Sequence, residues 1–205
     1  MMLMNGEIPE YIPQYNMMGW LVNPGMFPRT TTPEGYTKDD YGFVVEHTYA
    51  GSAAAEAGLR YLASELRQRG TLVYFEPESD ADKKKFQKAV EVSDIVKFSH
   101  EKVADLSFVD HYTDKLFIRT MGAEGLEFNL CGQGWIKVAA VPNDNVVDWE
   151  GAGDWTTSAF LNALAEADCL RLSDMTEDVV RTALEKAQET ASKSVSYMGS
   201  KGMIR

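Results

Sequence analysis

Three small residues and an acid, Gly151-Ala152-Gly153-Asp154, stand directly before a segment that reads as a helix. Gly-Ala-Gly at a helix entrance lets backbone N–H groups converge on an anion without side-chain obstruction, and the helix dipole adds favourable potential at the same point. Asp154, in the first turn, would stand beside that anion hole and could accept the proton of an attacking hydroxyl. Phosphoryl transfer asks for those two parts and for little covalent help. The same pattern also describes an ordinary glycine-rich helix start with an acidic cap, so residue types alone leave both readings open. Asp148, Glu150 and Asp154 could instead chelate a metal. Glycine and alanine rather than oxygen ligands lie between them, which favours the phosphate loop, and no metal ligand is assigned.

Other chemistry-bearing residues have plainer readings. His47, His100 and His111 show no metal-ligand spacing with one another or with a cysteine. Gly51-Ser52 lacks the G-x-S-x-G pattern of a nucleophile elbow and reads as a helix cap. Lys83-Lys84-Lys85 follows the acids Glu76, Glu78, Asp80 and Asp82 and reads as a solvated helix face.

The elements that must position the loop follow from periodicity and turn formers. Residues 1–40 hold five prolines, four glycines and the run Thr30-Thr31-Thr32, which predicts an irregular segment with at most a short strand at Trp20-Leu21-Val22. From Tyr41 strands and amphipathic helices alternate, so 41–205 is read as one nucleotide-binding domain. Strands are expected at 43–45, 71–75, 94–98 and 115–120, and a hairpin from 126–130 and 135–141, with a turn at Gly122–Gly125 before it. Helices are expected from a cap at Ser52 to about Arg69, with Gly70 as the C′ residue, and over 83–92, 153–168 and 176–198. In 83–92, Phe86, Ala89 and Val90 share one face. This alternation implies βαβ units and a mainly parallel sheet covered by helices.

Composition bounds the partners. The 205 residues carry 20 Lys+Arg against 31 Asp+Glu, a formal charge of −11, which argues against a nucleic-acid backbone as main partner. No stretch approaches the roughly 18 apolar residues of a membrane span. Glu7 and Glu10, with no basic residue before them, argue against a signal peptide. Cys131 and Cys169 form no CxxC pair and read as free thiols in a reducing compartment, so a cytoplasmic location is expected.

Several ordered motifs together carry a family resemblance. Asp148-x-x-Gly151-Ala152-Gly153-Asp154, with Ser158 and Ala159 further along, resembles the carboxy-terminal signature of the ribokinase/PfkB carbohydrate and nucleoside kinases. Thr120-Met121-Gly122-Ala123-Glu124-Gly125 is similar to that family's T-x-G-x-x-G nucleotide loop. Ser93 to Ser99 resembles its strand leading to an N-x-x-E motif, and Gly70 to Pro77 its G-x-x-V-x-F-D-P strand. The stretch 187–199 resembles the terminal helix that closes over adenine. The resemblance spans about residues 44–203.

The resemblance implies an α/β, ribokinase-like three-layer αβα fold with an incomplete, mainly parallel sheet and helices on both faces. It implies Asp154 as general base, with Gly151, Ala152 and Gly153 supplying amides to the transferred phosphate. Thr120, Gly122, Gly125 and Gln188 would line the ATP pocket, and Asp148 would support the phosphate loop or a nearby monovalent-cation loop. ATP with Mg²⁺ is the implied cofactor and a sugar or nucleoside the implied acceptor.

The departures from the family pattern are specific. Trp149 replaces a small residue or Thr, and its bulk is expected to crowd the loop. N-x-x-E becomes Ser99-His100-Glu101-Lys102, where Glu101, if helical, would point about 100° away from the Glu position. D-P-N-x-R becomes Glu76-Pro77-Glu78-Ser79-Asp80, acids that would repel ATP unless a metal intervenes. Gln188 stands where Asn is usual. Nothing in 1–40 resembles the glycine-rich amino-terminal half that supplies the lid and acceptor contacts. An open sheet edge is therefore expected, and with it a homo-oligomer or a partner chain. Two functions follow: an ATP-dependent carbohydrate kinase or half of one, or a non-catalytic nucleotide-binding or subunit-interaction protein derived from it.

Overall fold

A computed structural model describes residues 43–47, 63, 64, 66–68, 70–77 and 79–204. The readings for 1–40, for Gly51-Ser52 and for most of the helix expected before Gly70 lie outside these residues. Residues 63, 64 and 66–68 are helical, and Gly70 follows them with φ +83° and its N–H on Arg67 O, as a C′ glycine does.

Six strands form one sheet in simple sequence order: β1 (Phe43–His47), β2 (Leu72–Glu76), β3 (Ile95–Ser99), β4 (Leu116–Thr120), β5 (Leu126–Leu130) and β6 (Trp135–Val138). β1 through β4 run parallel, and β5 and β6 are added antiparallel as a hairpin. The parallel order places the carboxyl ends of β2, β3 and β4 side by side, with Ser99 in register with Thr120. In open parallel sheets that edge is where ligands bind.

Helices cover both faces. α1 (Lys83–Val92) joins β2 to β3 and occupies the residues expected of it, burying Phe86, Ala89 and Val90. It packs with Phe75, Val96, Phe98 and Phe117, and Phe108 meets Phe86 edge-on at 5.0 Å and Phe117 at 5.6 Å. The opposite face carries Tyr74, Ile95, Leu116, Ile118, Leu126 and Phe128 beneath α2 (Ala152–Glu166) and α3 (Glu177–Ser194), which lie against each other. Alternation along each strand sends neighbours to opposite faces, so one five-residue strand serves both cores. β6 ends at Val138, three residues short of the expected strand, and α3 stops at Ser194 rather than Met198. Among the described residues no helix is long and apolar enough to cross a membrane.

Candidate functional site

α2 begins differently from its neighbours. Asp82 caps α1 by accepting from Lys85 N–H, and Thr176 caps α3 by accepting from Val179 N–H. At α2 the N-cap is Gly151, in the left-handed region at φ +80°, and no side chain caps the helix. Two constraints keep that position glycine: the positive φ, and Ser200, whose Cβ and Cα would lie 2.5 and 2.7 Å from an added Cβ. Ala152 N–H donates to Trp149 O at 3.2 Å, so of the expected anion-binding amides this one already closes a turn. Asp154 stands exposed in the first turn.

A buried polar network lies directly under this entrance. Lys97 on β3 forms an ion pair with Glu76, the last residue of β2, and its side chain is only 3% exposed. A Cβ on Gly153 would stand 3.7 Å from the Lys97 Nζ and 4.0 Å from Glu76 Oε1. The absent side chain thus leaves the loop in close approach to the ammonium. The second Glu76 oxygen accepts from Thr157 Oγ1 on α2 at 2.8 Å, and the Tyr74 hydroxyl lies 3.0 Å from Thr157 Oγ1 and 3.2 Å from Glu76 Oε2. Burial pushes the Tyr74 hydroxyl well above its usual range, and the Glu76 carboxylate adds to the shift. Tyr74 therefore stays protonated and can donate to Thr157, which donates to Glu76.

The loop before α2 is fastened to the carboxy-terminal segment. Asp148 accepts from Glu150 N–H at 3.0 Å and from Gly199 N–H at 2.8 Å, and these amides hold its carboxyl below the ordinary range. Val147 and Asp148 both donate to Val195 O, Asn143 bonds Ser192 O and Ser196 Oγ, and Trp155 Nε1 donates to Ser200 O at 2.9 Å. Gln188 lies one turn before Ser192 on α3 and is buried, and its Nε2 makes no hydrogen bond. A buried amide without a partner is rare.

Thr120 ends β4, and its carbonyl accepts from His100 N–H at 3.0 Å, with His100 Nδ1 at 3.2 Å. Gly122 and Gly125 shape the following turn, a 3₁₀ segment over Gly122–Glu124. Gly125 has φ +94°, and a Cβ there would meet Val138 O at 2.4 Å. The chain then runs from Val138 through Asn143 to Asp148, so both glycine turns hang from one connected scaffold.

Two expectations are corrected. Trp149 is 64% exposed, so its indole projects into solvent rather than crowding the loop. Residues 100–102 form a turn, with Ser99 Oγ accepting from Glu101 N–H, not a helix, and the argument from helical geometry does not apply. Of the acids in the motif at 76–80, Glu76 is ion-paired with Lys97 and Asp80 with Lys83. Sequence reasoning also passed over Lys97. The available signal was a lysine inside the apolar run Ile95-Val96-Lys97-Phe98. Among the described residues no group of three or more His, Cys, Asp or Glu is placed to hold a metal ion.

A sheet of four parallel strands and an antiparallel hairpin, with helices on both faces and an uncapped, glycine-lined helix end at the carboxyl edge of the parallel strands, defines the class as an α/β domain. The particular family follows. Residues 43–204 match the pfkB family carbohydrate kinases, and the chain belongs to that family. It is similar in structure to ribokinase from Giardia lamblia (TM-score 0.64, 16% identity, covering 80% of this chain and 56% of that one). It is likewise similar to fructokinase from Vibrio cholerae O395, seen with fructose, ADP and calcium (0.62, 18%, 77% and 56%). A third is the nucleoside kinase of Burkholderia thailandensis in complex with inosine (0.60, 15%, 80% and 52%). These confirm the ribokinase-like fold. The chain spans little more than half the length of each. No curated protein is significantly similar to it in sequence.

Proposed function

We propose that this chain is the nucleotide-binding and base-bearing part of an ATP-dependent kinase that phosphorylates a hydroxyl of a sugar or nucleoside in the cytoplasm. The observation that carries the reading is the placement of Lys97 beneath Gly153, at an uncapped helix end whose first turn bears Asp154. When bound, ATP with Mg²⁺ supplies the phosphoryl group. The Gly151 and Gly153 amides and the α2 dipole hold negative charge at the loop, with the ammonium of the Lys97–Glu76 pair close beneath it. Asp154 takes the proton of the acceptor hydroxyl. Thr120, Gly122 and Gly125 line one side of the nucleotide site. The unpartnered Gln188 Nε2 is the polar contact available from α3. Asp148 acts on the loop by bracing it against Gly199 rather than by touching the nucleotide, and a monovalent cation would sit in that braced region.

The fructose and inosine seen in the structural neighbours mark the two acceptor classes to test. A second copy or a partner chain adds contacts to the acceptor. The test measures ADP binding and phosphoryl transfer to a panel of sugars and nucleosides for the wild type and Asp154→Asn. Loss of transfer by about 10²–10⁴-fold with ADP binding retained supports Asp154 as base. Unchanged transfer removes it from that role. ADP binding without transfer to any acceptor, in the chain or its complex, favours a non-catalytic nucleotide-binding descendant, the reading that Ser99 and Lys102 in the N-x-x-E positions suggest.

A further inference from the structure

We infer that Glu76 acts as an internal counter-anion, occupying Lys97 in place of a phosphate and thereby setting how strongly the glycine loop binds nucleotide. This rests on the reading that the Gly151–Asp154 loop receives a phosphate. Three observations place the competition at one atom. The Lys97 side chain is 3% exposed, and its ammonium lies 3.7 Å from where a Gly153 Cβ would be, so the loop backbone passes close above it. Glu76 Oε1 is bonded to that same ammonium. Its other oxygen accepts from Thr157, whose hydroxyl sits on the first turns of α2 and lies 3.1 Å from Gly153 O. The carboxylate is thus held from behind by the helix whose entrance forms the loop.

The electrostatic consequence is direct. A buried ion pair has no net charge, so the loop sees a dipole where an unpaired lysine would present a cation. A phosphate arriving at Gly153 meets Lys97 with Glu76 already on it. Lysine has three N–H donors and can serve both anions, but the two anions repel each other across it. Glu76 therefore weakens metal-free binding and makes the site depend on a divalent cation that offsets the excess negative charge. Thr157 and Tyr74 are positioning residues for this carboxylate.

The experiment is calorimetric titration of the full chain with ADP, in chelator and then in Mg²⁺, for the wild type, Glu76→Gln, Thr157→Val and Lys97→Met. Glu76→Gln is expected to tighten metal-free ADP binding about tenfold or more and to shrink the gain from Mg²⁺, because neutralising one member of a close charge pair changes affinity on this scale. Thr157→Val is expected to shift both in the same direction by about two- to threefold, having removed one hydrogen bond to the carboxylate. Lys97→Met is expected to lose metal-free binding. Should Glu76→Gln leave Lys97 uncompensated and fail to fold by circular dichroism, Thr157→Val decides. Wild-type binding with metal-free affinity unchanged or weakened in folded Glu76→Gln and Thr157→Val overturns the role of Glu76 and leaves the phosphate loop standing. A loss confined to the Mg²⁺ titration would make Glu76 a metal-side residue and overturn it equally. No ADP binding by any folded variant, wild type included, overturns the phosphate-loop reading and this inference with it.

Discussion

Each end of the sheet buries a lysine, and the two ends deal with its charge differently. At the amino end Lys115, 1% exposed, donates to Ser93 O at 2.7 Å and Glu91 O at 3.2 Å and sits 5.2 Å above the Tyr112 ring. Asp114 Oδ1 lies 4.0 Å from the Lys115 Nζ, but the nearby acids are held more closely by Arg67, which bonds Asp94 at 2.7 Å and Asp114 at 3.0 Å. At the carboxyl end Lys97 meets a carboxylate, Glu76, beneath a glycine. Main-chain carbonyls are fixed by the fold and cannot be exchanged for a ligand. A carboxylate partner beside a glycine-lined opening is one anion where another could stand. One lysine clamps the ends of strands, and the other is paired beneath the loop that we propose binds phosphate.

The strongest way to break this comparison is to remove each lysine in turn. Lys97→Met strands a largely buried carboxylate, and breaking such a pair is expected to cost about 3–5 kcal/mol. It should also weaken ADP binding at least tenfold, as read by calorimetry. Lys115→Met leaves two carbonyls without their donor, for about 1–3 kcal/mol in urea unfolding, with ADP affinity unchanged. Equal effects of the two variants on ADP affinity would erase the distinction.

Gly151→Val probes the carboxyl end through backbone rather than charge. A side chain there combines positive φ with a 2.5 Å approach to Ser200 Cβ, so strain of about 1–3 kcal/mol is expected. The loop and the 199–202 segment should separate. Faster proteolysis near these residues, together with weaker ADP binding, would show it. Protection equal to wild type would mean that the contact is dispensable.

The last test is a pH dependence at the amino end. Burial, reinforced by the Arg67 guanidinium, pushes the Lys115 ammonium from its ordinary 10.5 down to about 8, against the opposing pull of Asp114, Asp94 and Glu91. The folded value lies below the unfolded one, so the unfolded chain binds the proton more tightly. The resulting penalty on folding is complete below about pH 8 and vanishes above 10.5. Stability of the wild type relative to Lys115→Met should therefore rise across that window in urea titrations. A flat difference would mean that the carbonyls compensate the charge fully.

Much of this molecule was legible in residue order because its causes are local. The helix over Lys83–Val92 is written in the spacing of Phe86, Ala89 and Val90, and the strands in short β-branched and aromatic runs. The glycines at 70, 122, 125 and 151 mark positive-φ positions, and all four have them. The family was legible as well, since the glycine loop and its aspartate are contiguous. Tertiary structure alone decided the pairing that gives the site its character. Glu76 and Lys97 are 21 residues apart; the acid stood out in a phosphate motif, whereas the lysine drew no notice in an apolar strand. They meet because β2 and β3 run parallel with their carboxyl ends aligned, and because α2, arriving from more than fifty residues later, closes over both with Thr157 and Gly153. The loop of Asp148 was likewise completed by Gly199 from the far end of the chain. Local propensity follows from neighbours in sequence, whereas a buried charge acquires its meaning from the partner the fold brings to it.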